Sequence, residues 1–186
     1  GPVIDVRTGV EKPYNPPETC PACGQPVEHL QGEVAWYCVN AACPAQLIRN
    51  VEHFVSRGGM DINGLGVKIV EKLIETGAVG DVADIFTLSR ADILNAVTKK
   101  DRKTTAEPPG KIADNLVGAI SASKEQPLSR LITALGIRGV GEVVAGDLAR
   151  TFGSLEALSR ATEEALQAVE GIGQNIASGI VDWFGR

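Results

Sequence analysis

The sequence predicts a mainly α-helical chain in which a small four-cysteine zinc finger precedes tandem helix-hairpin-helix units. Three observations carry that prediction. All four cysteines, Cys20, Cys23, Cys38 and Cys43, fall within 24 residues. A glycine triplet is written three times, as Gly64-Leu65-Gly66, Gly139-Val140-Gly141 and Gly171-Ile172-Gly173. From about residue 58 onward the apolar residues recur at helical spacing.

Residues 1–19 hold four prolines and no helical period, which reads as a linker or the tail of a preceding domain. The opening Gly1-Pro2, without a methionine, is the expected mark of an excised or processed piece. The cysteines follow as C-x2-C, 14 residues, then C-x4-C. Two close pairs on an intervening arm suit a tetrahedral thiolate site, with knuckles at Cys20–Gly24 and Cys38–Cys43. Glu33–Tyr37 has strand-like content and supplies half of a small hairpin. A disulfide pair is one alternative, although no secretory signal supports an oxidising compartment. A redox C-x-x-C is another, although no βαβ pattern surrounds it and the second pair would be unexplained. His29 is expected at the surface and His53 in packing. Four cysteines leave no coordination position open, so the metal is read as one structural zinc.

Leu47, Ile48, Val51, Phe54 and Val55 then mark a helix over 45–57, so the finger with its helix occupies 20–57 and the hairpin domain 58–186. Val67, Val70, Leu73 and Ile74 form one face after the first triplet. Ser89 precedes Asp92 in a capping-box arrangement, and Ser154 and Thr162 are further N-caps, the latter with Glu163 and Glu164 in its first turn. Val143, Val144, Leu148 and Phe152 line one later helix; Ile176, Ile180 and Phe184 line another. Ile93–Val97 and Ile112–Leu116 are spaced like a further helix pair, but a polar stretch, Thr98–Gly110, stands where the triplet should be. With Lys111 it holds five basic residues, read either as a solvated loop or as a phosphate contact. Four units result, the second degenerate, in two pairs over about 60–127 and 128–186.

Each triplet has a physical logic. Its first glycine can take a positive φ and reverse the chain, while the apolar middle residue pins the turn. The second glycine lets backbone N–H groups approach a ligand at a helix N-terminus, which favours an anion. Val70, Ala145 and Ala177, each four places after the second glycine, pack the turn. Paired hairpins of this kind can grip the two strands of a duplex across its minor groove through phosphate, without reading sequence. A monovalent cation bridging hairpin carbonyls to phosphate is compatible with this.

Composition narrows the classes. Aromatic residues are 4% of the chain, which argues against stacking platforms for single strands. No stretch reaches membrane-spanning length. The net charge of −5 is spread as −2 over 1–57, −1 over 58–128 and −2 over 129–186, so duplex binding by this piece should be modest and salt-sensitive. A protein-binding module whose hairpins only pack stays open. A base-excision glycosylase fits poorly, because Glu142-Val143 and Gln174-Asn175 follow the glycines instead of a lysine or aspartate.

The order Thr19-Cys20-Pro21-Ala22-Cys23-Gly24, Asn40–Gln46, Met60–Gly66 and Ala134–Gly141 resembles the C-terminal half of a bacterial NAD-dependent DNA ligase over essentially the whole chain. The resemblance implies that Cys20, Cys23, Cys38 and Cys43 bind zinc. It implies DNA contacts at Gly64, Leu65, Gly66, Lys68, Arg138, Gly139, Val140, Gly141, Gly171, Ile172, Gly173 and Gln174. It makes residues 1–16 the end of an OB-fold domain, and the partners nicked double-stranded DNA and the remaining ligase domains. It implies a cytoplasmic, nucleoid-associated monomer with no membrane partner. The family's K-x-D-G nucleophile motif does not occur in this sequence, so NAD chemistry is expected in another part of the parent ligase. On this reading Gly139→Val or Gly171→Val weakens DNA binding and leaves zinc and helix content intact.

Overall fold

A computed structural model describes residues 9, 15–29, 34–38, 40, 43–97 and 108–185. The stretch 98–107, with most of the basic loop, lies outside the described residues, as do 1–8 and 10–14 of the lead-in. Helix dominates, and the described strands are two, β1 (Val27–His29) and β2 (Trp36–Cys38), paired antiparallel with Val27 opposite Cys38. The strand content expected around residues 33–37 is thus realised at its end, in β2.

Nine α-helices follow among the described residues: α1 (Pro44–Val55), α2 (Val67–Glu75), α3 (Arg90–Ala96), α4 (Pro109–Ser123), α5 (Leu128–Ala134), α6 (Glu142–Phe152), α7 (Leu155–Ser159), α8 (Glu163–Gln167) and α9 (Gln174–Gly185). A 3-10 helix, Val82–Thr87, lies between α2 and α3. None is long and apolar enough to cross a membrane.

Two cores organise these helices. The first gathers Leu47, Val51 and Phe54 of α1, Val70 and Leu73 of α2, Ile85 of the 3-10 helix, Ile93 of α3 and Leu116 of α4. The second gathers Ile132 of α5, Ala145 and Leu148 of α6, Leu158, Leu166, and Ala177 and Ile180 of α9. Helix α5 serves both, with Ala134 in the first core and Ile132 in the second. Leu148 is fully buried, so Leu148→Ala is expected to lower the unfolding free energy by about 2–5 kcal/mol. Chemical denaturation followed by circular dichroism measures that loss.

Sequence chemistry sets the helix ends. The Ser89 hydroxyl accepts from the Asp92 N–H, and the Asp92 carboxylate accepts from the Ser89 N–H at 2.9 Å, completing the anticipated capping box. The Ser89 hydroxyl also donates to the Asp92 carboxylate at 2.6 Å, and this bond, with the one from the Ser89 N–H, holds the Asp92 carboxyl below the usual range. Ser154 and Thr162 cap α7 and α8 as expected. Proline stands at or just before the first turn of α1, α4 and α5. Arg90 of α3 pairs with Asp114 of α4 at 2.5 Å.

Two expected core residues lie elsewhere. Val143 is 79% exposed and Val67 49% exposed. Both sit in the first turn of a helix, where the chain projects past the packed layer, and the inward face begins one turn later at Ala145 and Val70.

Candidate metal centre and nucleic-acid interface

The four cysteine sulfurs lie within 4.8 Å of one another, with Cys20 to Cys43 at 3.9 Å and Cys23 to Cys38 at 3.6 Å. Those spacings are too long for disulfides, whose S–S bond is about 2.05 Å. They suit a tetrahedron of Zn–S bonds of about 2.3 Å, whose edges are about 3.8 Å. The first knuckle is closed by the Gly24 N–H donating to the Cys20 carbonyl at 2.8 Å, with Gly24 at φ +72°. In the second, the Cys43 N–H donates to the Asn40 carbonyl at 2.9 Å. Cys43 is also the N-cap residue of α1, and its carbonyl accepts from the Leu47 N–H at 2.8 Å. A metal ligand is thereby part of the first helix of the hairpin array.

The electrostatics also ask for a cation. A hydrogen bond from the Gln25 backbone lowers the Cys23 thiol to about 7. Cys38 receives a bond from the Asn40 backbone that lowers its pKa, yet desolvation and the neighbouring thiols push it up to about 12. Four sulfurs this close cannot all ionise against one another, and a divalent ion removes that conflict. His29 is exposed beside Trp36, with ring centroids 5.0 Å apart, so it is no spare ligand.

The three glycine hairpins share one geometry. Gly64, Gly139 and Gly171 have φ of +93°, +79° and +82°, as chain reversal requires. The middle N–H of each donates back three residues: Leu65 to Ile62, Val140 to Ile137 and Ile172 to Val169. Leu65, Val140 and Ile172 are buried, and so are Val70, Ala145 and Ala177 beneath them. With side chains buried and N–H groups bonded within the turn, Leu65, Val140 and Ile172 hold the turn in place.

The outward elements are the second glycines and the helix starts they introduce. Gly66 (φ −76°, ψ 164°) and Gly141 (φ −92°, ψ −175°) are the N-cap residues of α2 and α6, with no side chain to cap them. Gly173 plays the same part for α9, its carbonyl accepting from Ile176 and Ala177. A side chain at any of the three would meet no other atom within 4 Å. The N–H groups of Val67 and Lys68, Glu142 and Val143, and Gln174 and Asn175 find no acceptor among the described residues.

Every other described helix whose N-cap is resolved either starts next to proline or is closed by Asp81, Ser89, Ser154 or Thr162. Ser89 (φ −82°, ψ 161°) and Gly66 share a backbone conformation, so a capping side chain would fit at Gly66 and is absent. Lys68 and Gln174 stand exposed at these openings. Arg138 lies over the Tyr37 ring, 4.9 Å from its centroid, which links the Gly139–Gly141 hairpin to the finger. Glu142, Val143 and Asn175 share the openings; the sequence marks them as the residues that follow the glycines and does not count them among the expected DNA contacts.

A four-cysteine finger leading without a linker into repeated open hairpins defines a zinc-finger and helix-hairpin-helix module. Residues 19–45 match a family described as the NAD-dependent DNA ligase C4 zinc finger domain, and residues 130–186 match the helix-hairpin-helix motif. The chain is 49% identical over 187 residues to a DNA ligase of Roseiflexus sp. (strain RS-1), covering all of this chain and 24% of that protein. It is 47% identical to a DNA ligase of Herpetosiphon aurantiacus, covering 99% of this chain and 26% of the relative. A DNA ligase of Syntrophotalea carbinolica is 44% identical, with 97% and 26% covered. These matches place the chain in the NAD-dependent DNA ligase family, as the stretch that carries its zinc finger and hairpins. It spans about a quarter of the length of the curated relatives it matches.

Proposed function

We propose that this region holds nicked duplex DNA for a ligase and takes no part in bond chemistry. The observation that carries the proposal is the set of three helix N-termini, each opened by a glycine that internal packing does not require. A phosphate oxygen accepts hydrogen bonds from such N–H groups, and the positive end of the helix dipole adds to the attraction. A side chain at the second glycine would stand where the phosphate must come. Contacts of this type position DNA without reading its bases, as sealing a nick in any sequence requires.

The three grips differ in strength. Lys68 adds a positive charge at the first and Gln174-Asn175 adds neutral donors at the last. Glu142 places a negative charge at the middle grip, after Gly141, which makes it the weakest. One zinc at Cys20, Cys23, Cys38 and Cys43 has a structural role, since four thiolates leave it no open position. The K-x-D-G nucleophile and the NAD site belong to another part of the parent ligase, in keeping with the quarter-length match.

Titration of labelled nicked and intact duplexes at two salt concentrations tests the reading. The expected result is binding independent of sequence that weakens steeply with salt. Absence of binding at low salt would overturn it.

A further inference from the structure

Building on that reading, we propose that Arg130 is a positioning residue that locks the first hairpin to the one at Gly139–Gly141, so that both grips meet DNA at a fixed spacing. Arg130 lies in α5, the helix that leads through Gly136 into the Gly139–Gly141 hairpin. Its Nε–H donates to the Gly59 carbonyl at 2.8 Å, and its Nη2 donates to the Arg57 carbonyl. Arg57 and Gly59 belong to the loop between the end of α1 and the first hairpin at Gly64. One side chain thus ties together the approaches to two hairpins that are far apart in sequence.

The surroundings make this joint stiff. Gly59 is pressed so close to the end of α1 that a Cβ there would lie 2.5 Å from the Phe54 carbonyl oxygen. The loop is held by the Met60 N–H donating to Phe54 and the Ile62 N–H donating to Val55, at 2.8 and 2.9 Å. A second tie runs parallel, with His53 Nε2 3.0 Å from the Thr133 carbonyl oxygen. The His53 ring lies against Gly136, whose φ of +66° starts the turn into the Gly139–Gly141 hairpin. The planar guanidinium suits two divergent carbonyls at once, which a single ammonium cannot match.

The function of a lock follows from the weakness of each grip. Two weak contacts held at the spacing of a duplex act as one, because the second forms at high effective concentration once the first has formed. Loosening the joint spreads that spacing and loses the gain without removing any contact.

The test uses the whole chain, with Arg130→Met and Arg130→Lys. Each is titrated against a duplex of about 8 base pairs, less than one helical turn, and against one of about 20. Zinc content and far-ultraviolet circular dichroism are measured on each variant. R130M keeps the apolar stem and loses both carbonyl bonds; it is expected to bind the long duplex about tenfold more weakly, to bind the short one like the parent, and to flatten the salt dependence. R130K, able to satisfy one carbonyl, should fall between them. Unchanged binding of the long duplex by R130M, or equal loss on both lengths, overturns the inference. Failure of the unmodified chain to bind either duplex instead overturns the DNA-holding reading beneath it.

Discussion

Replacing Gly66, Gly141 and Gly173 together by aspartate is expected to weaken duplex binding at least about a hundredfold while the fold holds or gains stability. The two effects have one cause. Each aspartate would stand at an N-cap position, at 66 and 141 in the extended backbone geometry that capping residues adopt, and its carboxylate would take the N–H groups left open there. With the helix dipole also favouring the charge, stability is unchanged or rises by about 1 kcal/mol. The same carboxylate occupies and repels the phosphate position. Losing a charge-assisted bond of about 1.5–3 kcal/mol at each of three grips exceeds a hundredfold, since 1.4 kcal/mol is a factor of ten. Fluorescence anisotropy and thermal unfolding on one preparation give both numbers. Undiminished binding by the triple variant would sink the phosphate-grip reading.

The first glycines behave differently, and here the structure revises the sequence. Gly139→Val and Gly171→Val were expected to spare the fold. Both glycines sit at positive φ, where a β-branched residue is strained by roughly 1–3 kcal/mol. At Gly139 a Cβ would also lie 3.1 Å from Ile176 Cγ1. These variants therefore lose stability and grip together and cannot separate the two. The clean separation lies at the second glycine.

Zinc removal is expected to unfold the finger and leave the helices standing. Between residues 15 and 43 the described strands are three residues each with none of them buried, and the buried apolar residues among those described there are Cys20 and Cys43, both candidate ligands. A hairpin of that size does not hold itself in water, so the metal must. Zinc binding in comparable peptides supplies about 10–16 kcal/mol at neutral pH. The first core has its own apolar residues from α1 to α5 and survives the loss. Acid acts in the same direction. Ligation needs thiolates, and Cys38, pushed up to about 12, must give up its proton to bind. Protons compete as pH falls through the lowered Cys23 value of about 7, so zinc is held less tightly at pH 5 than at pH 8. A chromophoric zinc chelator at both pH values, with circular dichroism alongside, measures release and helix content. Wholesale helix loss on chelation would contradict this division of labour.

Local chemistry was legible in the sequence. The cysteine spacing, the reversing glycines, their buried middle residues and the caps at Ser89, Ser154 and Thr162 each depend on a few neighbouring residues. The 3-10 helix was missed although Asp81 and Asp84 form the same reciprocal box as Ser89 and Asp92. Val143 and Val67 misled because apolar character was read as inward direction, whereas a first turn can overhang its core. The helix α1, grouped with the finger in sequence, buries Leu47, Val51, Phe54 and Val55 in the first core. The Arg130 joint had no sequence signal at all. Its acceptors are backbone carbonyls more than 70 positions away, and any residue type can supply a carbonyl.

The double service of α5 limits how the chain can be divided. An expression boundary placed before Leu128 strips Leu131, Ala134 and Leu135 from the first core, and one placed after Leu135 strips Leu128 and Ile132 from the second. One short helix cannot be given to both products. A cut on either side of α5 therefore leaves one of the two cores short of residues it packs.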